Sequence, residues 1–124
     1  MPTHGEMTAT IEKYVAALSN GDLDAMLQLY APDVRIEDPV GTPERQGHAA
    51  VDALMRQAVD AGMKLVLTAP VCTAGRSAAF AFSATLGGGA MEVDSINVVE
   101  FGADGKIVRS RAYWGPDNIR PGAG

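Results

Sequence analysis

The hydrophobic period changes near the middle of the chain, and that change limits the fold more than any other feature. Before Gly62 the large apolar residues recur every three or four positions. From Lys64 onward they alternate in long runs. The stripe Ile11, Tyr14, Val15, Leu18 predicts a helix over Met7–Ser19 with one buried face. Asn20-Gly21-Asp22 stops it, Gly21 supplying a left-handed cap and Asp22 an N-cap for a second helix, Leu23–Tyr30. Ala31-Pro32-Asp33 ends that helix. Val34–Asp38 alternates and reads as a short strand, with Pro39 holding Asp38 extended and closing the strand. Val51, Leu54, Met55, Ala58 and Val59 mark a third helix, His48–Ala61.

The second half reads as four strands, Lys64–Val71, Ser77–Leu86, Ala90–Phe101 and Ile107–Trp114. Glycine-bearing turns at Gly75, at Gly87-Gly88-Gly89 and at Gly102–Gly105 separate them, so consecutive strands should pair antiparallel. Three helices followed by such a sheet predict one α+β domain over residues 1–124, with the helices on one face. Alternation assigns the faces. Val93, Ser95, Asn97, Val99 and Phe101 share one, with Phe80, Phe82, Ala84 and Leu86, and with Val108, Ser110, Ala112 and Trp114. The aromatic residues place this face toward the helices. The back face carries Ala79, Ala81, Ser83, Ile96 and Val98, small or apolar, which predicts a homodimer through the outer face of the sheet. The tail Gly115–Gly124 reads as irregular.

Charge excludes several functions. The net charge is −5 and the ten basic residues are scattered, which argues against nucleic-acid or anionic-membrane partners. No run reaches the roughly 18 apolar residues of a membrane span, and Met1–Gly5 lacks a signal-peptide pattern. The expected setting is therefore cytoplasmic. Cys72, alone in an apolar run, reads as a buried structural thiol. His4 and His48 lack ligand spacing, so no metal is expected. Gly87-Gly88-Gly89 leads into a strand, not a helix, and reads as a hairpin turn rather than a phosphate loop.

What remains is a constellation: Tyr14 on a buried stripe, Asp38 ending a strand, Asn97 pointing inward, and Trp114, Phe80 and Phe82 able to wall one cavity. Each has a plainer reading. Tyr14 and Trp114 serve equally as core, and Asp38 as a turn residue. Asn97 is the odd one, because asparagine is disfavoured inside a strand.

The sequence resembles the bacterial ketosteroid isomerases. The resemblance runs nearly end to end through Ile11-Glu12-Lys13-Tyr14, Asn20-Gly21-Asp22, Glu37-Asp38-Pro39, Asp94-Ser95-Ile96-Asn97-Val98 and Arg111-Ala112-Tyr113-Trp114-Gly115. It implies a cone-shaped, curved antiparallel sheet against three helices, the nuclear transport factor 2-like (cystatin-like) fold shared with polyketide cyclase-like proteins. It also implies a chemistry: Asp38 carries a proton from C4 to C6 of a Δ5-3-ketosteroid through a dienolate. Tyr14 and the residue at 97 hold the C3 oxygen, and no cofactor takes part. Besides these catalytic residues, Leu18, Leu54, Met55, Phe80, Phe82, Ser95, Val99 and Trp114 are the expected contacts of a small apolar substrate.

Two positions depart from that pattern. Asn97 stands where characterised members carry an aspartic acid, giving an oxyanion donor without a proton to titrate. Met55 stands where some members place a tyrosine, which puts in doubt whether Tyr30 can support Tyr14. The rival readings are a polyketide cyclase or epoxide hydrolase on the same cone, and a non-catalytic binder of an apolar molecule. A hydrolase would want an inward arginine between two acids, and alternation turns Arg109 and Arg111 away from the Trp114 face.

Overall fold

The structure is a computed structural model and describes residues 2–122. The first helix, α1, runs His4–Ser19, earlier than its apolar stripe suggests. Thr3 is the reason. Its hydroxyl accepts from the Glu6 amide (3.1 Å) while Glu6 Oε1 accepts from the Thr3 amide (2.8 Å), a reciprocal capping box. Thr3→Ala is expected to cost about 1 kcal/mol, lowering Tm by roughly 3–5 °C in a chain of this size. Thermal denaturation checks it, and an unchanged Tm would show that the cap is idle. Helix α1 buries Met7, Ile11, Tyr14, Ala17 and Leu18.

Gly21 takes the left-handed conformation at φ 70°, and Asp22 Oδ1 caps the Ala25 amide at 3.1 Å. The second helix is shorter than expected: α2 is Leu23–Leu27, and Tyr30 opens strand β1, Tyr30–Glu37. Tertiary pairing overrides the helical pattern here. The Ile107 amide donates to the Leu29 carbonyl (2.9 Å) and draws the chain into the sheet. Pro32 is tolerated inside β1 because the pairing register shifts between Tyr30 and Arg35. After the two-residue strand β2, Arg45–Gln46, comes α3, His48–Asp60. The Gly47 amide at its start donates to Val34 O (2.8 Å), fixing α3 beside β1.

The sheet continues with β3 (Lys64–Leu67), β4 (Cys72–Ala74), β5 (Ser77–Leu86), β6 (Met91–Phe101), β7 (Ile107–Tyr113) and β8 (Ile119–Pro121). Its order is β2-β1-β7-β6-β5-β3, with β4 also on β5 and β8 also on β6. The pairs among β3 to β8 are antiparallel as expected. However, β1 joins β7 in parallel, so the sheet is mixed. Strands β5 and β6 each change partner partway along. Residues 77–79 of β5 meet β4 and 82–85 meet β3, while 91–93 of β6 meet β8 and 96–101 meet β7. The sheet therefore curves without closing, and α1 and α3 lie in its concave side.

Three further expectations need correction. The proposed strand Lys64–Val71 stops at Leu67, and the chain rejoins the sheet as β4 only after Pro70, which has no amide to donate. Cys72 is exposed, not buried: it pairs with Ala79 of the outer face, and cross-strand partners share a face. The tail is ordered as far as β8, because Ile119 pairs with Val93; residues 123 and 124 of the proposed irregular tail lie outside the described ones. One detail of the face assignment also shifts. Ile107, not Val108, is the inward residue at the start of β7, because the β6–β7 register slips beside Phe101. Elsewhere the faces are as alternation gave them. Among the described residues no helix is long and apolar enough to cross a membrane.

Candidate active site

The concave side holds a cavity of about 300 Å³, at the small end of ligand-sized cavities. Its lining is apolar except at one end, where Tyr14, Asp38, Ser95, Asn97 and Trp114 converge. Gln57 is the one other polar residue on it.

Strand geometry places each group. Val34 and Ile36 are buried, so the residue two further on, Asp38, faces the same way at the end of β1. Trp114 follows the last residue of the neighbouring strand, β7. Because β1 and β7 run parallel, with Glu37 beside Arg111, both side chains emerge at the same end of the sheet. Trp114 Nε1 donates to Asp38 Oδ1 at 2.8 Å. Glu37, on the opposite face, accepts from Arg111 Nε (3.0 Å) and lies 3.6 Å from Arg109 Nη2. The two arginines therefore belong to the outer surface, as alternation indicated, and neither lines the cavity.

Burial pushes the Asp38 carboxyl above its ordinary pKa, and the Trp114 hydrogen bond and the positive charge of Arg45 pull it part of the way back. The result suits a proton shuttle: a base less stable as an anion, and so more basic, than a solvated carboxylate.

Tyr14 and Asn97 are brought together by Phe80. Phe80 sits across from Asn97 in the β5–β6 register, and its ring meets Tyr14 edge-on at 5.5 Å between centroids. The Tyr14 phenol is held well above its ordinary pKa, by burial first and by the Asp38 charge second, while a hydrogen bond with Asn97 lowers it somewhat. It is thus a neutral donor throughout the neutral range. Tyr30 is buried behind it and is also held neutral by burial, with Tyr14 and Asp38 adding to the effect. Ser95 Oγ donates to Asn97 Oδ1 at 2.9 Å.

Of the expected contact residues, Leu18, Leu54, Met55, Phe82, Ser95 and Trp114 line the cavity. Phe80 and Val99 do not. Phe80 is covered by Tyr14 and Val99 lies deeper along β6, leaving them 1% and 2% exposed within the core. Several lining residues were missed. Ala84, Leu86, Val93 and Ala112 were legible, since alternation already placed them on the inner face. Gln57 and Ala58 arrive with the end of α3, Met63 with the turn after it, Met91 with the start of β6 and Ile119 with β8. The Trp114–Asp38 hydrogen bond had no sequence signal, because it depends on a parallel pairing of residues 76 apart. Among the described residues no cluster of three His, Cys, Asp or Glu side chains could hold a metal.

Comparison with known proteins shows the family and the fold. A SnoaL-like domain matches residues 11–110. The steroid Delta-isomerase of Nocardioides simplex is 36% identical over 116 residues, covering 92% of this chain and 94% of that protein. Epoxide hydrolase LasB of Streptomyces lasalocidi is 31% identical over 128 residues, covering 82% of this chain but only 45% of that protein. Among solved structures, the epoxide hydrolase/cyclase-like enzyme SalBIII superposes with a TM-score of 0.91 over 98% of this chain and 99% of its own, at 24% identity. That last likeness concerns the fold alone.

Proposed function

The chain belongs to the SnoaL-like family, and from that kinship we propose that it is a steroid Δ5-isomerase. The proposed reaction moves the double bond of a Δ5-3-ketosteroid into conjugation. One observation carries the reading: among the described residues the cavity is lined by a single carboxylate, by neutral donors that include Tyr14 and Asn97, and otherwise by apolar walls. The Asp38 carboxylate takes a proton from C4. The C–H electron pair forms the C3=C4 bond of a dienolate, and the charge moves onto the C3 oxygen. Tyr14 and Asn97 donate to that oxygen, more strongly as its charge grows. Protonated Asp38 then gives the same proton to C6, and the C4=C5 bond results. The substrate supplies every atom, so no cofactor is required.

This fits the cavity better than epoxide hydrolysis does. An acid and a base on opposite sides of a water need two carboxyl groups, and among the described residues Asp38 is the only carboxylate on the lining. The arginines that could orient a water are engaged with Glu37 outside. The reading also includes a second copy of the chain on the outer sheet face, where Ile96 is 52% and Tyr113 45% exposed.

The test is spectrophotometric, since the conjugated enone product absorbs strongly in the ultraviolet. Turnover of a Δ5-3-ketosteroid is expected, and none at all would return the site to the cyclase or binding readings. The pH profile should show one acid limb, displaced above the ordinary carboxylate range by burial of Asp38. Trp114→Phe removes a donor that favours the ionised carboxylate. Its limb should therefore move to still higher pH, with activity restored by alkali. A limb that stays in place would mean that the indole does not tune the base.

A further inference from the structure

We propose that Ser95 is a positioning residue that decides which end of the Asn97 amide faces the cavity. The proposal rests on the isomerase reading and deepens it. The two ends of an asparagine amide have nearly the same shape and opposite electrostatics: the oxygen accepts and the nitrogen donates. Only the nitrogen end can hold a developing oxyanion, and an amide turned the other way would repel it. Something in the site must therefore choose between two orientations that fit equally well.

In this fold Ser95 holds the oxygen end. Residues 95 and 97 are two apart on the inner face of β6, 6% and 3% exposed. The Ser95 hydroxyl donates to Asn97 Oδ1 at 2.9 Å. The cross-strand partners are all apolar: Phe82 beside Ser95, and Phe80 and Ala112 beside Asn97. None of them can offer Oδ1 a donor. With its oxygen occupied along the strand, the nitrogen end of the amide is the one left for the cavity that Asn97 lines.

The pairing also explains why an amide suits position 97 in this chain. A carboxyl group there would have to stay protonated to donate. A hydroxyl donor two residues away would favour its ionised form, which cannot donate. The other titratable groups near that position are Tyr14 on α1, Asp38 at the end of β1 and Tyr30 behind them. Helix α3 contributes only Leu54, Met55, Gln57 and Ala58 to the lining, none of them titratable.

Ser95→Ala should lower kcat about three- to tenfold, the range of one hydrogen bond, with KM changed less than twofold. Ser95→Thr, which keeps a hydroxyl, should recover most of the loss. In an Asn97→Ala background, Ser95→Ala should have no further effect. Asn97→Asp should lose activity as pH rises, and adding Ser95→Ala should move that loss to higher pH. A merely structural serine would produce neither the recovery nor the shift. An equal loss from Ser95→Ala with and without Asn97 would overturn the proposal, as would an unchanged kcat.

A readout that needs no turnover separates this proposal from the function it rests on. In 15N-labelled protein the Asn97 side-chain amide protons should exchange with solvent at least about tenfold faster after Ser95→Ala. If the wild type isomerises no ketosteroid but this acceleration is seen, the functional reading fails and the positioning stands. If exchange is unaffected, the positioning fails whatever the activity.

Discussion

Asp38→Asn should reduce kcat for Δ5-3-ketosteroid isomerisation by about ten-thousand-fold, at the upper end of what one general base contributes. The amide has the shape of the carboxylate and can still accept from Trp114 Nε1, so the cavity should keep its form. KM should change only a few-fold, because the apolar walls that bind the substrate are untouched. The same substitution should stabilise the protein at neutral pH. Burial raises the Asp38 pKa in the folded chain, so the ionised carboxylate is less favourable there than in the unfolded chain. That penalty is fully present above the folded pKa. It shrinks as pH falls and disappears below the unfolded value, about 4. The variant should therefore melt higher than the wild type at pH 7, with the two converging in acid. A stable variant keeping a tenth of the activity would remove Asp38 from the mechanism. A lower melting temperature at pH 7 would contradict the burial argument. The expected trade, stability for activity, is common where a site holds a charge in an unfavourable place.

Tyr14→Phe should cost about a hundred- to a thousandfold in kcat, the range for removing one preorganised oxyanion donor. The loss is expected to be smaller than for Asp38→Asn, because Asn97 continues to donate. The ring should stay in place, since its edge contact with Phe80 at 5.5 Å does not involve the hydroxyl. Folding should thus be little affected, and the loss should fall on kcat more than on KM. Because Tyr14 is held neutral by burial and by the Asp38 charge, the wild-type profile should show no alkaline limb from it in the neutral range. Combining Tyr14→Phe with Asn97→Ala tests whether the two donors act on one oxygen. Coupled, non-additive losses are expected, and simple additivity would place them on different groups.

Much of the concave face could be read before the fold was known, and the reason is periodicity. Two-residue alternation turned Asn97 and Ser95 inward with Phe82 and Ala84, and sent Arg109 and Arg111 outward. The errors fell where long-range pairing competes with local pattern. Tyr30 continues the apolar spacing of α2 but is taken by the sheet through the Ile107–Leu29 hydrogen bond. Cys72 sits in an apolar run but is turned outward by its register with Ala79. Phe80 shares a face with the true wall residues, and only its cover by Tyr14 removes it from the cavity.

The sequence by itself determined most of the order of helices and strands and the side of the sheet that faces inward, which follow from spacing the chain carries locally; its resemblance to the ketosteroid isomerases supplied the proposed base and donors. Only the tertiary structure decided that β1 lies parallel to β7, so that Trp114 reaches Asp38, and that Ser95 orients the amide of Asn97. Those depend on which strands meet, in what register, and on which donor finds which acceptor when water is excluded. Side-chain spacing does not encode such choices; they are made when the sheet curls and its concave face closes against α1 and α3.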